Sequence, residues 1–564
     1  MKFTQIPYER PDIGSLSSRI NSLVKDFASA NEDKQVEIIS EINKLRNHFE
    51  TMYAFASIRY TQDTANKQYQ EEQDFFDSNE PIYTGLVTEF YKALISSKYK
   101  VGLEKKFGKQ LFSIGEMKLR TFSPEVEEDL KQENRLTSEY TKLIASAHIQ
   151  FDGKELSLSE LSPYLTSHDR ETRKNANIAK YKFFTEKSVE LDRLYDELVK
   201  QRTAIARKLG FNSFTELAYL RMMRGDYNAQ MVKVYRDQIH KYIVPLVSQL
   251  KQRQAKRLGL DALKYYDEAL LFKGGNAKPK GDEKWILGKA KQMYNELSPK
   301  TSEFFGYMLE NELMDLVSRK NKAAGGYCSF LNEYKSPFIF ANFNGTMHDI
   351  IVLTHEVGHA FQGYCSREYS VPEYFFPTYE ACEIHSMSME FLTWPWMKLF
   401  FEDSTDKFLF EHLCGALQFL PYGVSVDEFQ HWVYDNPDAT PAERKTQWRN
   451  IEKKYLPLRN YDDNKYLEEG GFWQQQGHIY QSPFYYIDYT LAQVCALQFW
   501  KRANDDRKSA LEDYQVLCNA GGSQSFLELV KLAKLISPFE EGCLEKVTQE
   551  ASKWIASIDE SRLN

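Results

Sequence analysis

Apolar positions in the first third of the chain recur at helical spacing. Ile20, Leu23, Val24 and Phe27 follow i, i+3, i+4, i+7, and Ile38, Ile42, Leu45, Phe49 and Met52 continue in steps of four and three, so each set lines one helix face. Polar breaks at residues 31–33 and 77–81 predict helix ends. At residues 151–154 an Asp-Gly pair stands between short alternating stretches, which predicts a two-residue hairpin turn. Ser159 and Ser167 are expected to cap the helices that follow. The Gly/Lys stretch at 273–284 reads as a linker or loop. Beyond it, residues 327–332 and 337–343 are aromatic and alternating, bounded by Gly325-Gly326 and Asn344-Gly345, so two short strands are predicted ahead of an apolar helix over 350–364.

Composition strengthens the helical reading. Only 27 Gly and 18 Pro in 564 residues leave long uninterrupted elements. A net charge of −8 gives no electrostatic footprint for nucleic acid or an anionic membrane, and neither is expected as a partner. No apolar run is long enough for a membrane span or a secretory leader, so a cytoplasmic location is expected. The seven cysteines are odd in number and lack C-x-x-C spacing, as buried thiols in a reducing compartment would. Histidine departs from this ordinary picture: seven of 11 fall between residues 348 and 478.

Within that cluster, His355, Glu356 and His359 form H-E-x-x-H. On a helix the two histidines sit one turn apart on one face and can reach the same ion, while Glu356 points obliquely towards the water to be activated. A catalytic zinc site takes three protein ligands. Gln362 and Cys365 stand where a metzincin would have Gly and His, which excludes that class. Downstream, Glu380, Glu383 and Glu390 lie on a second expected helix, and His385 competes as a ligand, although two residues from Glu383 it faces elsewhere. Glu380 is either a carboxylate holding a ligand histidine or a surface acid. Cys365 and Cys382 flank the motif as further candidates for contact with the metal.

H-E-V-G-H, the Glu383/Glu390 pair and the segment from His478 to Tyr489 (HIYQSPFYYIDY) together resemble the M3 family of zinc metallopeptidases, most closely the oligoendopeptidase F and Pz-peptidase group. The stretches at 426–437 and 520–539 extend the resemblance over about residues 120–545. It implies one Zn2+ per chain on His355, His359 and Glu383, with Glu356 as general base. It also implies that His478, Tyr486 and Tyr489 bind the substrate carbonyl and steady its oxyanion. Many relatives carry His where Gln362 stands. Read from composition alone, Tyr485, Tyr486 and Tyr489 are equally aromatic core.

The expected architecture is then predominantly α: a large helical body with a deep substrate channel and a small β-sheet beside the zinc helix. Residues 1–150 form an N-terminal helical subdomain and 151–564 the catalytic region. The expected activity is endopeptidase cleavage of short unstructured oligopeptides, an extended peptide adding to the edge of the strand FIFANFN. The alternatives are a zinc aminopeptidase, for which NFNGTM offers no acidic anchor for a substrate amine, and an inactive peptide-binding relative, against which the intact Glu356 and His478 stand.

Overall fold

The computed structural model describes residues 2–319, 321–323 and 325–563, and it is predominantly helical. The chain forms two compact units, each assembled from three stretches: 1–119, 278–405 and 495–536 in the first, and 120–277, 406–494 and 537–564 in the second. Because the stretches interleave, the expected division at residue 150 concerns chain order and not compactness. The chain passes from the second unit to the first inside the Gly/Lys loop. Among the described residues no helix is long and apolar enough to cross a membrane.

In the second unit, strands β1 (Ile149–Phe151) and β2 (Lys154–Leu156) form the expected hairpin. Asp152 and Gly153 adopt φ of 52° and 70°, the left-handed pair that a primed turn requires. The caps that follow are Ser157 and Asp169 in place of Ser159 and Ser167. In each case the cap is the residue directly ahead of the first helical one: Ser157 shares a capping box with Glu160, and the Asp169 carboxylate accepts from the Thr172 N–H at 2.8 Å. Helices Ala229–Gln238 and Val244–Leu258 are joined by a π turn at Ile239–Ile243, and Pro245, which has no N–H to give, follows it.

In the first unit, Asp12 and Asn31 cap helices Ile13–Ser29 and Glu32–Gln62, and Leu23, Phe27, Ile38 and Ile42 share one core. The helix end expected at 77–81 does not occur, since helix Lys67–Ile95 runs through it. Phe76 and Tyr83 both pack on Phe49, with ring centroids 5.5 and 4.2 Å away, and that burial outweighs the local polar signal. Strands β3 (Met314–Val317), β4 (Tyr327–Leu331) and β5 (Ser336–Phe343) make a sheet in the order β3-β5-β4, with β5 parallel to β3 and antiparallel to β4. The strand FIFANFN is therefore central, both edges paired, and among the described residues β3 and β4 are the edge strands of this sheet. β3 escaped the sequence reading because only one of its four residues is buried and a parallel pairing leaves no local turn signal.

Helix His348–Ser366 packs beside this sheet, and helix Tyr379–Leu392 follows it after a connecting loop. That loop is fixed from several directions. Val371 and Tyr374 belong to the same core as Leu23 and Ile38. The Asn43 amide donates to the Ser370 carbonyl at 3.1 Å, and the Leu111 N–H donates to the Tyr374 hydroxyl at 2.9 Å. Gly522 donates its N–H to the Tyr374 carbonyl at 3.0 Å. Gly521 beside it has a φ of 50° and no room for a side chain, since a Cβ there would lie 2.2 Å from that same oxygen.

The strongest of these ties is ionic. The Arg46 guanidinium lies 2.7 Å from Glu373, and both side chains are buried. The Tyr91 hydroxyl donates to the same carboxylate at 2.5 Å. Burial alone would raise the Glu373 carboxyl, but Arg46 holds it below its usual range. Replacing Glu373 with Ala strands a buried guanidinium and is expected to cost about 3–5 kcal/mol, read as a lowered urea midpoint at unchanged slope.

Candidate metal centre

The H-E-x-x-H helix is set by its first turn and its apolar face. The Asp349 carboxylate accepts from the Asn344 and Gly345 N–H groups at 2.9 and 2.7 Å, closing the turn between β5 and the helix. Ile350, Leu353, Val357, Ala360 and Phe361 are wholly buried, which fixes its rotation. His355 and His359 then project side by side, ring centroids 5.0 Å apart.

Glu383 comes from the second helix, Tyr379–Leu392. One of its oxygens lies 3.3 Å from His355 Nε2 and 3.5 Å from His359 Nε2, and the three ligand atoms all fall within 4.8 Å of one another. Burial would raise the Glu383 carboxyl, but the two imidazoles hold it well below its usual range. Ser386 donates to the same oxygen at 3.0 Å. The approach of the two helices depends on Gly358, for a Cβ there would lie 2.6 Å from Ser386 Cα and 2.7 Å from the His385 carbonyl oxygen.

Glu390, two turns after Glu383, meets His355 Nδ1 at 2.8 Å. A carboxylate on Nδ1 fixes the proton there and leaves Nε2 as the free donor atom. Glu390 therefore does what the sequence reading considered for Glu380, and Glu380 is fully buried, not a surface acid. His385 is also fully buried, its Nδ1 2.7 Å from the Ala381 carbonyl, and burial pushes its pKa down to about 4. Cys365 and Cys382 do not join the ligand set; burial pushes the first thiol up to about 11 and raises the second. Gln362 donates to the Ser366 hydroxyl and to the Phe375 carbonyl, each at 2.9 Å, tying the helix to the connecting loop.

Glu356 is 7% exposed, and its Oε2 has no hydrogen-bond partner among the described residues. Burial raises its carboxyl, against the pull of the two neighbouring imidazoles. A buried acceptor left unpaired beside two nitrogens and a carboxylate is a place for a water or a substrate proton. Gly326, at the head of β4, faces it: a Cβ there would come 3.4 Å from Glu356 Oε1.

The other expected residues lie in the second unit. His478, Tyr486 and Tyr489 form one ring cluster, with centroids 5.0 Å (His478–Tyr486) and 5.9 Å (His478–Tyr489) apart. Gln476 lies 2.7 Å from His478 Nδ1 and accepts from the Tyr422 hydroxyl at 2.8 Å. The turn before Tyr486 is held by Phe484, a buried residue with φ of 66°, whose N–H donates to Gln430 at 2.9 Å. Arg224 pairs with Asp488 at 2.6 Å, both fully buried, and also bonds the Phe484 carbonyl at 2.5 Å. A bulky residue in the left-handed region persists only where its surroundings over-determine it. Sequence reading missed Arg224 and Glu390's orienting role; the buried-charge pairing of the first leaves no local pattern.

Two family models match the chain: the peptidase M3 N-terminal domain over residues 3–122 and peptidase family M3 over residues 289–548. A solved structure described as Pz peptidase A with an inhibitor is 57% identical, covers 99% of this chain and 100% of its own, and superposes with a TM-score of 0.94. This chain belongs to peptidase family M3, in the oligoendopeptidase F group. Among curated relatives, oligopeptidase PepF of Bacillus subtilis is 23% identical over 94% of this chain and 82% of its own length. The oligoendopeptidase F homolog of Borreliella burgdorferi is 23% identical over 71% and 70%. The fold reaches further still: oligoendopeptidase-F from Enterococcus faecium has a TM-score of 0.64 at 15% identity over 96% of this chain and 97% of its own. The chain is thus a peptidase.

The close passage of the two helices generates a direct test. Gly358→Ala forces the Ser386 backbone away, at a cost of about 1–3 kcal/mol, and separates Glu383 from the two histidines. Bound metal, measured by atomic absorption, is expected to fall below one per chain while the helical circular dichroism is kept.

Proposed function

We propose that the chain is a zinc-dependent endopeptidase that hydrolyses internal bonds of short, unstructured oligopeptides. The observation that carries this reading is the convergence of His355, His359 and Glu383 within 4.8 Å, with the unpartnered Glu356 oxygen next to His355 in sequence. Two imidazoles and one carboxylate suit zinc, whose catalytic sites keep a further position open. Zinc bound there supplies Lewis acidity to the scissile carbonyl and to the attacking water.

The chain's own residues do the rest. Glu390 holds His355 in the tautomer that presents Nε2. Glu356 takes a proton from the attacking water and returns it to the leaving amine, so that one peptide bond and one water become a carboxyl and an amine. Burial raises the Tyr486 hydroxyl and, with it, keeps a proton available to donate. Burial likewise pushes His478 down, so its ring is neutral near pH 7. His478, Tyr486 and Tyr489 are assigned to the substrate carbonyl, where one donor to the developing oxyanion contributes about 3 kcal/mol. The edge strand β4, whose head adjoins Glu356, replaces FIFANFN as the strand that offers backbone pairing to an extended substrate.

Glu356→Gln preserves shape and removes the base. It is expected to bind about one zinc per chain and to lose roughly 10²–10⁴-fold in kcat on a quenched fluorescent peptide; undiminished turnover would refute the assigned role. Peptides blocked at both ends are expected to be cut internally, and folded proteins spared. If acetylating the N-terminus abolishes cleavage, as mass spectrometry of the products would reveal, the enzyme is an aminopeptidase; a well-folded, zinc-loaded chain that cuts no peptide is a binding protein.

A further inference from the structure

The backbone just ahead of His478 is pinned on both sides of Gln476. Its N–H donates to the Trp473 carbonyl at 2.9 Å, closing the short helix Phe472–Gln475, and its carbonyl accepts from the Ile479 N–H at 3.1 Å, opening helix Gly477–Gln481. The side-chain amide of Gln476 then stands between two groups. Oε1 accepts from the Tyr422 hydroxyl at 2.8 Å, and Nε2 lies 2.7 Å from His478 Nδ1. Which way that amide turns follows from the hydrogen-bond network. Burial keeps the Tyr422 phenol protonated, so its O–H requires an acceptor, and among the described residues Gln476 Oε1 is the one it reaches. The NH2 end, which can only donate, is thereby turned to Nδ1. A nitrogen that accepts carries no proton, so the single proton of a neutral ring sits on Nε2. Tyr485, Tyr486 and Tyr489 pack on that ring with centroids 5.8, 5.0 and 5.9 Å away, and no charged group shares in the lowering of its pKa by burial.

We propose that Gln476, held by Tyr422, is a positioning residue that fixes His478 in its neutral Nε2–H tautomer, so that the imidazole meets the substrate carbonyl as a hydrogen-bond donor. The proposal rests on the assignment of His478 to that carbonyl. A donor set in advance binds more strongly as negative charge develops on the oxygen, and it transfers no proton in doing so. The opposite tautomer would present a bare lone pair to the same oxygen and repel it.

Long-range proton–nitrogen NMR correlation on the zinc-loaded full chain, carrying isotopically labelled histidine, tests it; the His478 signals are those lost in His478→Phe. Near pH 7 the wild type is expected to hold its proton on Nε2. Gln476→Glu puts an acceptor in place of the donor, and is expected to move the proton to Nδ1 and to raise the His478 pKa, since the cation gains a carboxylate partner. In that variant kcat on the quenched peptide is expected to fall as pH rises through the raised pKa, because the neutral ring then leaves Nε2 bare, while the wild type keeps its rate over the same interval. Gln476→Met offers neither group; it is expected to show both tautomers and to lose less in kcat than the roughly 10²–10³-fold that a whole missing donor costs, at unchanged KM. A wild-type proton on Nδ1 overturns the proposal, and so does a tautomer indifferent to Gln476→Glu. Should that variant fail to fold, the wild-type and Gln476→Met spectra decide. If the tautomer shifts as expected but His478→Phe turns peptide over undiminished, the assignment of His478 to the carbonyl fails and its positioning by Gln476 stands.

Discussion

Everything at the candidate metal centre depends on two helices touching backbone to backbone at Gly358. With no side chain there, the Ser386 and His385 backbone comes close enough that Glu383 reaches both histidines within 3.5 Å. The ligand geometry is therefore a packing result before it is an electrostatic one. Bringing a carboxylate and two imidazoles together out of water is unfavourable unless each has a partner. The remaining contacts supply those partners: Glu390 on His355 and Ser386 on Glu383.

Helix contact alone would leave the second helix free to slide. The connecting loop prevents this, and its restraints come from parts of the first unit distant in sequence: Asn43 and Arg46 near the beginning, Leu111 later, Gly521 and Gly522 near the end. The N-terminal helices thus help to position Glu383 without touching it. Their buried ion pair sets where the loop lies, and the loop sets the depth at which Glu383 enters.

How far the sequence was legible follows from which interactions are local. H-E-x-x-H, the helical stripes around Ile20 and Ile38, and the Asp-Gly hairpin are written in consecutive residues, and each was readable. The contact of Glu390, and not Glu380, with His355 was not, because it depends on the rotation of one helix against another. The order β3-β5-β4 was hidden for a similar reason: Met314–Val317 is short and mostly half-exposed, and its partner follows β4 in the chain. The continuous helix at 77–81 shows tertiary packing overriding a local signal, with Phe49 stacking on Tyr83 across the expected break. Resemblance pointed to His478, Tyr486 and Tyr489 as candidates, but not to the buried Arg224–Asp488 pair that holds the turn leading to them.

Gln362 joins the two parts of the scaffold through a group that carries no charge. Its amide joins the helix to the loop through the Phe375 carbonyl and the Ser366 hydroxyl. An imidazole in that position would gain or lose a charge near neutrality, whereas an amide carries none across the range in which proteins stay folded. In this chain the link is made of an amide, a hydroxyl and a carbonyl, none of which titrates near neutrality.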